Sequence, residues 1–264
     1  GDVYKRQDKD YNWKTDFPGV GHSQPVAWGE KIFLTSAEKK GVVRHVLCFS
    51  TLDGSILWKK TYDNRTHGKH RLNSFASSTP AVSKDALYVM FGNPDAVSLH
   101  ALDHSGKELW KHSLGKFTSR HRHGASPIVY KDMVLLGHHQ GRDADDSLQS
   151  YLLALDAKTG KELWRQPVDV TDTSDIGIGG GRLTMVYKDG VLLLGGANAN
   201  GHYWRQFISG EFKKRRLVAL SSVNGYKLWS KDANYRHRPI IVGSRIIAEP
   251  VSYTHLTLPT ILLV

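Results

Sequence analysis

The sequence predicts an all-β protein, a β-propeller built from four-stranded antiparallel blades. One phrase returns four times, as FSTLDGSILW at residues 49–58, LDHSGKELW at 102–110, LDAKTGKELW at 155–164 and LSSVNGYKLW at 220–229. The tryptophans follow one another at steps of 52, 54 and 65 residues (110−58, 164−110, 229−164). Self-similarity at such an interval is typical of repeat architectures, and four strands repeated radially form a propeller.

A strand–turn–strand pattern precedes each phrase and supplies the first two strands of a blade. STPAVSKDALYVMF at 78–91 and ASPIVYKDMVLLGH at 125–138 each join two apolar, β-branched runs through a Lys-Asp turn, which is the pattern of a hairpin. Residues 23–36 and 182–195 share this plan, and 238–249 start a fifth unit. Trp13 is interpreted as the end of an earlier unit.

Each recurring residue type of the repeated phrase can be explained by a structural role. Asp156 can accept hydrogen bonds from its own turn, and Gly160 can adopt a positive φ. Trp164 then provides a large apolar side chain on the outermost strand. These residues are therefore predicted to fasten neighbouring blades, and none of them is required for chemistry.

Composition limits the function classes. Lys and Arg number 36 against 25 Asp and Glu, a net charge of +11, which suggests a polyanion as partner. The basic residues are spread along the chain, and the run at residues 213–216 is interpreted as a solvated loop. Cys48 is the chain's single cysteine, so neither an internal disulfide framework nor a four-cysteine zinc site is available. The sequence shows no apolar window long enough to span a membrane and no signal peptide pattern.

The motif Ala154, Asp156, Thr159, Gly160 and Trp164 resembles the tryptophan-docking motif of pyrroloquinoline quinone (PQQ)-type propeller repeats. In that family the tryptophan stacks between blades, and the propeller closes with seven or eight of them. The resemblance assigns a structural docking role to ten residues: Trp58, Trp110, Trp164, Trp229, Gly54, Gly106, Gly160, Gly225, Asp103 and Asp156.

Both ends of the chain depart from the repeat pattern. Residues 1–7 and 251–264 resemble translated adapter sequence, and we expect both segments to be foreign to the natural protein. Residues 8–250 are then expected to hold about four complete blades plus partial ones, a fragment of a seven- or eight-bladed propeller.

Histidine, arginine and carboxylate residues concentrate in the variable connections, which are expected to share one rim of the propeller. The candidate binding residues on this rim are His121, His123, His138, His139, Arg142, Tyr203, Trp204 and Arg205. His121, His138, Asp143 and Asp145 are weak candidates for a metal site, with solvated rim histidines as the alternative. Tyr203 and Trp204 could stack on a carbohydrate or could form the small core of their own loop.

Three functions compete at this stage. The resemblance favours a non-catalytic, extracytoplasmic scaffold or binding module, related to the lipoprotein of the outer-membrane β-barrel assembly machinery, with no cofactor and a protein or carbohydrate partner on the variable-loop face. The first alternative is a fragment of a PQQ- and Ca²⁺-dependent alcohol or sugar dehydrogenase. A single cysteine cannot form the vicinal pair found in alcohol-oxidising members, which weakens the enzyme hypothesis. The second alternative is polyanion or glycan binding by a basic rim. No motif for sequence-specific nucleic-acid binding is present.

Overall fold

The chain folds into consecutive antiparallel β-sheets. A computed structural model describes residues 11–93, 95–119, 122–138, 140, 150–167, 184–195, 216–232, 239–248 and 260–263. In these ranges the chain forms nineteen strands and a short 3₁₀ turn at Lys39–Gly41, and no α-helix is present there. None of the described segments forms a helix with the length and apolar character needed to cross a membrane. The predicted all-β class is confirmed.

The first two sheets each contain four strands paired in chain order. The first sheet consists of β1 (Val26–Trp28), β2 (Lys31–Glu38), β3 (Val43–Ser50) and β4 (Ile56–Asp63). The second consists of β5 (Ala81–Val82), β6 (Leu87–Gly92), β7 (Val97–Leu102) and β8 (Glu108–Gly115). This meander is the predicted blade.

The next two sheets repeat the plan, and the fifth has three strands. The third sheet is formed by β9 (Ile128–Tyr130), β10 (Met133–His138), β11 (Tyr151–Asp156) and β12 (Glu162–Pro167). The fourth contains β13 (Thr184–Lys188), β14 (Val191–Gly195), β15 (Arg216–Ser221) and β16 (Lys227–Asp232). The fifth contains β17 (Ile240–Val242), β18 (Arg245–Ala248) and β19 (Thr260–Leu263). The foreign origin of residues 1–7 and 251–264 stays a prediction.

The chain divides into two compact units, each with its own apolar core. The first unit comprises residues 1–117, 121–136 and 155–161, and the second comprises 118–120, 137–154 and 162–264. In the first unit, the middle strands of the first two sheets bury the cluster Phe33, Val46, Cys48, Leu87, Val89, Phe91 and Leu102. In the second, Leu193, Leu217 and Ile246 form a core cluster.

Burial falls from the middle strands to the outermost strand of a sheet. Seven of the eight residues of β3 are buried, whereas β4 alternates between exposed and half-buried positions. Exposed leucines precede three of the repeated tryptophans in the first and second units: Leu57, Leu109 and Leu163 are each about half exposed. The outermost strand therefore presents one face to solvent and the tryptophan face to the protein, as its period-2 alternation requires.

The turn between the third and fourth strands is held by its aspartate. Asp156 Oδ1 accepts hydrogen bonds from the backbone N–H and the hydroxyl of Thr159, both at 2.7 Å. Asp103 Oδ1 accepts from the Ser105 hydroxyl at 2.6 Å and its N–H at 2.8 Å. Hydrogen bonds to the ionised carboxylate favour it, so the bonds from Ser105 and Thr159 lower the pKa of Asp103 and Asp156.

Replacing Asp156 with asparagine should destabilise the protein at neutral pH and have less effect in acid. The folded-state pKa of Asp156 lies below its unfolded value, so its contribution is present above about pH 3.9 and is lost as the pH falls through the folded pKa. Urea titrations at pH 7 and pH 3 would measure the difference in free energy of unfolding between the wild type and Asp156→Asn. A difference that stays constant between these pH values would contradict the explanation by charge.

Candidate functional site

In the first unit, each repeated tryptophan lies against the glycine of the following repeat. A Cβ placed on Gly106 would lie 3.0 Å from the Trp58 indole, and one on Gly160 would lie 2.6 Å from the Trp110 indole. The indole N–H of Trp58 donates to the His104 carbonyl at 3.0 Å. Trp110 donates likewise to the Ala157 carbonyl, also at 3.0 Å. The stacking therefore combines van der Waals contact with a hydrogen bond to the turn.

Trp13 makes the first of these tryptophan–glycine contacts in the chain, although the rest of its repeat phrase is absent from the sequence before it. Its indole lies over Gly54, with 2.3 Å between Trp13 Cε3 and a Cβ placed on that glycine, and its N–H donates to the Thr51 carbonyl at 2.9 Å. Trp13 therefore occupies the position that the interpretation as the end of an earlier unit requires.

The second unit repeats the contact with one difference. Trp164 is 7% exposed, and a Cβ on Gly225 would lie 2.5 Å from its indole. The Trp164 indole N–H is buried and has no hydrogen-bond partner within the described part of the chain. Trp229 is half-buried and packs on the Leu193 cluster. The docking role of these tryptophans stays a prediction, and substitutions that test it are given below.

A polar network ties the outer strand of the first sheet to the second sheet. His100, on β7, is 4% exposed; its Nδ1 lies 2.9 Å from Glu108 Oε2 and its Nε2 lies 3.0 Å from the Ser98 hydroxyl. The Tyr62 hydroxyl, from β4, donates to the same Glu108 oxygen at 2.9 Å. The Tyr62 ring lies 4.7 Å from the imidazole. This Ser–His–Glu order has the connectivity of a nucleophilic triad, but the side chains are packed between strands and serve to satisfy a buried imidazole.

Stability should fall as the pH is lowered through the titration of this network. Burial lowers the pKa of His100 and outweighs Glu108, which raises it; Lys111 and Lys60 lower it further. The unfolded chain therefore takes up the proton near pH 6.5 before the folded chain does, so stability is lost as the pH falls below that value. Burial would raise the pKa of Glu108, but hydrogen bonds from His100 and Tyr62 lower it, which adds a further loss below about pH 4.3.

The free energy of unfolding should therefore decrease more steeply between pH 7.5 and pH 5 in the wild type than in His100→Gln. Ser98→Ala is the matched control, because it removes a hydrogen-bond partner of His100 but keeps the imidazole. Equal slopes in the wild type and His100→Gln would exclude His100 as the source of the pH dependence.

The predicted rim residues are only partly within the described ranges. His121, His139, Arg142, Asp143, Asp145, Tyr203, Trp204 and Arg205 lie outside the described residues. His123 lies in the first unit and His138 in the second. Among the described residues, no three His, Cys, Asp or Glu side chains converge as a metal site would require. The metal and carbohydrate sites on this rim stay predictions.

His138 differs from the alternative of a solvated rim histidine, because its side chain is buried. It is the last residue of β10 and is 1% exposed. Its ring lies 5.0 Å from the Tyr151 ring, and its Nε2 lies 3.0 Å from Nε2 of the buried Gln140. The alternative of a solvated histidine is therefore wrong for His138, since strand alternation turns this side chain inward.

A pocket in the first unit brings together two of the variable connections. The connection from β4 to β5 supplies His67, Ser74, Phe75, Ser77 and Ser78, and the connection from β8 to β9 supplies Arg122 and His123. Arg44 from the start of β3, with Met90 and Gly92 at the end of β6, completes the lining. The pocket is partly open to solvent, and its cavity volume is small, about 10 Å³. Within the described ranges, its charged lining residues are cationic and none of the lining residues is a carboxylate.

Sequence reasoning pointed to this face but missed Arg44 and Ser78. Arg44 lies in the largely apolar run VVRHVLCF (residues 42–49). A charged residue inside such a run indicates a buried charge, which could have marked Arg44 as a candidate binding residue. Ser78 carried no comparable signal. The pocket is the candidate binding site of the described chain.

Comparison with known proteins agrees with the architecture. Four-stranded meanders joined by tryptophan–glycine contacts define a PQQ-like repeat β-propeller. A family model described as "Outer membrane protein assembly factor BamB" matches residues 3–151 and 148–258. The chain belongs to this family.

The matches to individual relatives cover only part of each relative's length. Polyvinylalcohol dehydrogenase of Sphingopyxis sp. (strain 113P3) is 26% identical over 163 residues, which are 58% of this chain and 23% of that protein. The crystal structure of BamB from Moraxella catarrhalis aligns with a TM-score of 0.54 and 13% identity, covering 89% of this chain and 60% of the other.

A quinohemoprotein alcohol dehydrogenase from Comamonas testosteroni aligns with a TM-score of 0.52 and 19% identity over 87% of this chain and 40% of that one. At these identities the two structures establish the shared propeller fold. The chain spans about a quarter of the curated relative and about three fifths of the BamB structure.

Proposed function

We propose that this chain is part of a non-catalytic, extracytoplasmic propeller that acts as a binding module, with a protein partner on its variable-loop face. The observation that carries the proposal is the pocket of the first unit, where two variable connections meet and the described lining residues include basic side chains and no carboxylate. Short turns at one end of the blades and long connections at the other are typical of repeat proteins that bind with the long connections. The family match to an outer-membrane assembly factor supports a partner that is itself a protein.

The buried histidines and the cysteine outside the pocket have structural explanations, which supports a binding role over a catalytic one. His100 and Glu108 satisfy each other between strands, and His45 Nε2 lies 2.6 Å from Glu38 Oε2. Burial raises the pKa of the Cys48 thiol to about 11, which keeps it protonated and unreactive at neutral pH. His100, His45 and Cys48 are buried within the sheets, where they contribute to stability.

Site-specific photo-crosslinking on the full-length parent protein in its native cell envelope tests the proposal. A photoreactive residue at Arg71, in the long β4–β5 connection, should crosslink to a defined protein partner. The same residue at Lys158, in the short turn between β11 and β12, is the matched control, because it is exposed on the opposite end of its sheet. Equal crosslinking from both positions, or none from Arg71, would contradict a partner on the variable-loop face.

The second candidate is a PQQ- and Ca²⁺-dependent alcohol dehydrogenase, favoured by the 26% identity to polyvinylalcohol dehydrogenase. The buried, solitary Cys48 does not fit the vicinal cysteine pair of the alcohol-oxidising relatives, so no described residue is assigned to the quinone. Addition of PQQ and Ca²⁺ to the full-length parent, with poly(vinyl alcohol) or ethanol and an artificial dye acceptor, should give no quinone-dependent dye reduction. Substrate-dependent reduction would replace the scaffold proposal with this one.

A further inference from the structure

The pocket of the first unit contains a buried arginine whose hydrogen bonding is incomplete. Arg44 is 1% exposed. Its Nε donates to the Gly41 carbonyl at 2.7 Å, its Nη1 donates to the Phe75 carbonyl, and its guanidinium lies 5.1 Å from the Phe75 ring centroid. Nη2 is buried and has no hydrogen-bond partner among the described residues.

Among the described residues, no carboxylate lines the pocket to compensate the charge of Arg44. Burial lowers the pKa of Arg44 to about 10, so the guanidinium is still protonated at neutral pH. A buried charge is costly unless it is paired, and a native unsatisfied polar group calls for a missing water or ion. Two backbone carbonyls orient the guanidinium, but they carry no full negative charge.

Ser78 presents a second donor to the same pocket. Ser78 is 4% exposed. Its hydroxyl is buried and has no hydrogen-bond partner in the described ranges. Half-buried Arg122 also lines the pocket, with its Nε donating to the Gly68 carbonyl at 2.8 Å. The pocket thus combines a fixed buried cation, a buried hydroxyl and a second cation nearer to solvent.

We infer that this pocket binds a carboxylate group, with one oxygen accepting from Arg44 Nη2 and the Ser78 hydroxyl donating to the bound anion. An arginine N–H and a hydroxyl are charge-assisted donors to carboxylate oxygens. The inference deepens the proposed function by naming the ligand chemistry of the same face, and a partner would supply the group from an acidic side chain or a chain terminus. It rests on Arg44 and Ser78 and holds whichever partner the parent protein has.

Titration of the full chain with formate, at constant ionic strength maintained with chloride, tests the inference. The thermal midpoint should rise by about 2 to 4 °C at a formate concentration roughly five times Kd, because formate binds the folded state. The Arg44 side-chain ¹⁵N resonances, assigned by comparison with Arg44→Lys, should shift along the same binding curve. Sulfate and phosphate are the comparison anions.

Ser78→Ala should weaken formate binding by about 2- to 10-fold, the effect of one hydrogen bond, while Ser55→Ala, an exposed serine outside the pocket, should leave it unchanged. Arg44→Lys should abolish the saturable formate effect, since an ammonium cannot reproduce the three guanidinium contacts. If Arg44→Lys fails to fold, the difference in formate affinity between Ser78→Ala and Ser55→Ala still decides. Sulfate binding without formate binding would overturn the carboxylate assignment.

If no anion gives a saturable shift, the pocket is not an anion-binding site, and a bound water is the partner of Arg44 Nη2. Neither result would alter the crosslinking outcome from Arg71.

Discussion

Replacing Trp110 with alanine should lower the free energy of unfolding by about 3 to 5 kcal/mol, the range for large aromatic deletions in cores. The indole covers the Gly160 peptide, donates to the Ala157 carbonyl and lies 5.8 Å from the Tyr88 ring. Tyr88 donates to the same Ala157 carbonyl at 3.1 Å. Removal of the indole therefore leaves a cavity and takes one of two hydrogen bonds from that carbonyl. Urea titration at pH 7 measures the loss.

Leu109→Ala is the matched control for the substitution at Trp110. Leu109 is the adjacent residue of β8 and is 49% exposed, so its truncation should cost less than about 1 kcal/mol. A loss of similar size for both variants, or a loss below about 1 kcal/mol for Trp110→Ala, would contradict docking by the tryptophan.

Trp110 and Trp164 also allow the contribution of the indole hydrogen bond to be separated from that of the ring. Trp110→Phe removes an N–H that is bonded, whereas Trp164→Phe removes an N–H with no partner among the described residues. Because a buried unsatisfied donor is costly, we expect Trp110→Phe to be more destabilising than Trp164→Phe by about 1 kcal/mol. Equal effects would show that the ring alone carries the contact.

The blades could be predicted from the sequence because every repeat carries the same local chemistry. The Asp and Gly of the turn act on their own backbone, as in the Asp156 turn, and the hairpins that precede them alternate with the period of a strand. Even the isolated Trp13 could be assigned to an earlier unit from its spacing. Local rules of this kind require no knowledge of what lies across the sheet.

The pocket could not be predicted, because its parts come from distant positions. Arg44 and Ser78 are separated by a strand and a long connection, and whether Nη2 finds a partner depends on the path of residues 64–80. The burial of His100 likewise depends on Tyr62, which the neighbouring sheet provides. The sequence placed His138 on the rim, although its position at the end of β10 turns it into the core.

Gly160→Ala should be destabilising by about 2 to 5 kcal/mol. Gly160 has φ +70°, a left-handed conformation that costs an alanine about 1 to 2 kcal/mol. An alanine Cβ would also lie 2.6 Å from the Trp110 indole, and overpacking of this kind costs about 1 to 3 kcal/mol more. The two contributions have different causes, so they can be separated by a control that has the first without the second.

Gly115→Ala is that control, because Gly115 has φ +74° and a Cβ there would meet nothing within 4 Å. It should cost about 1 to 2 kcal/mol, the backbone contribution alone. In a Trp110→Ala background the clash is absent, so the cost of Gly160→Ala should fall to the Gly115→Ala value, and the double-mutant cycle should give a coupling of about 1 to 3 kcal/mol. A coupling near zero would mean that the Trp110 indole and the Gly160 peptide do not press on each other in the folded protein.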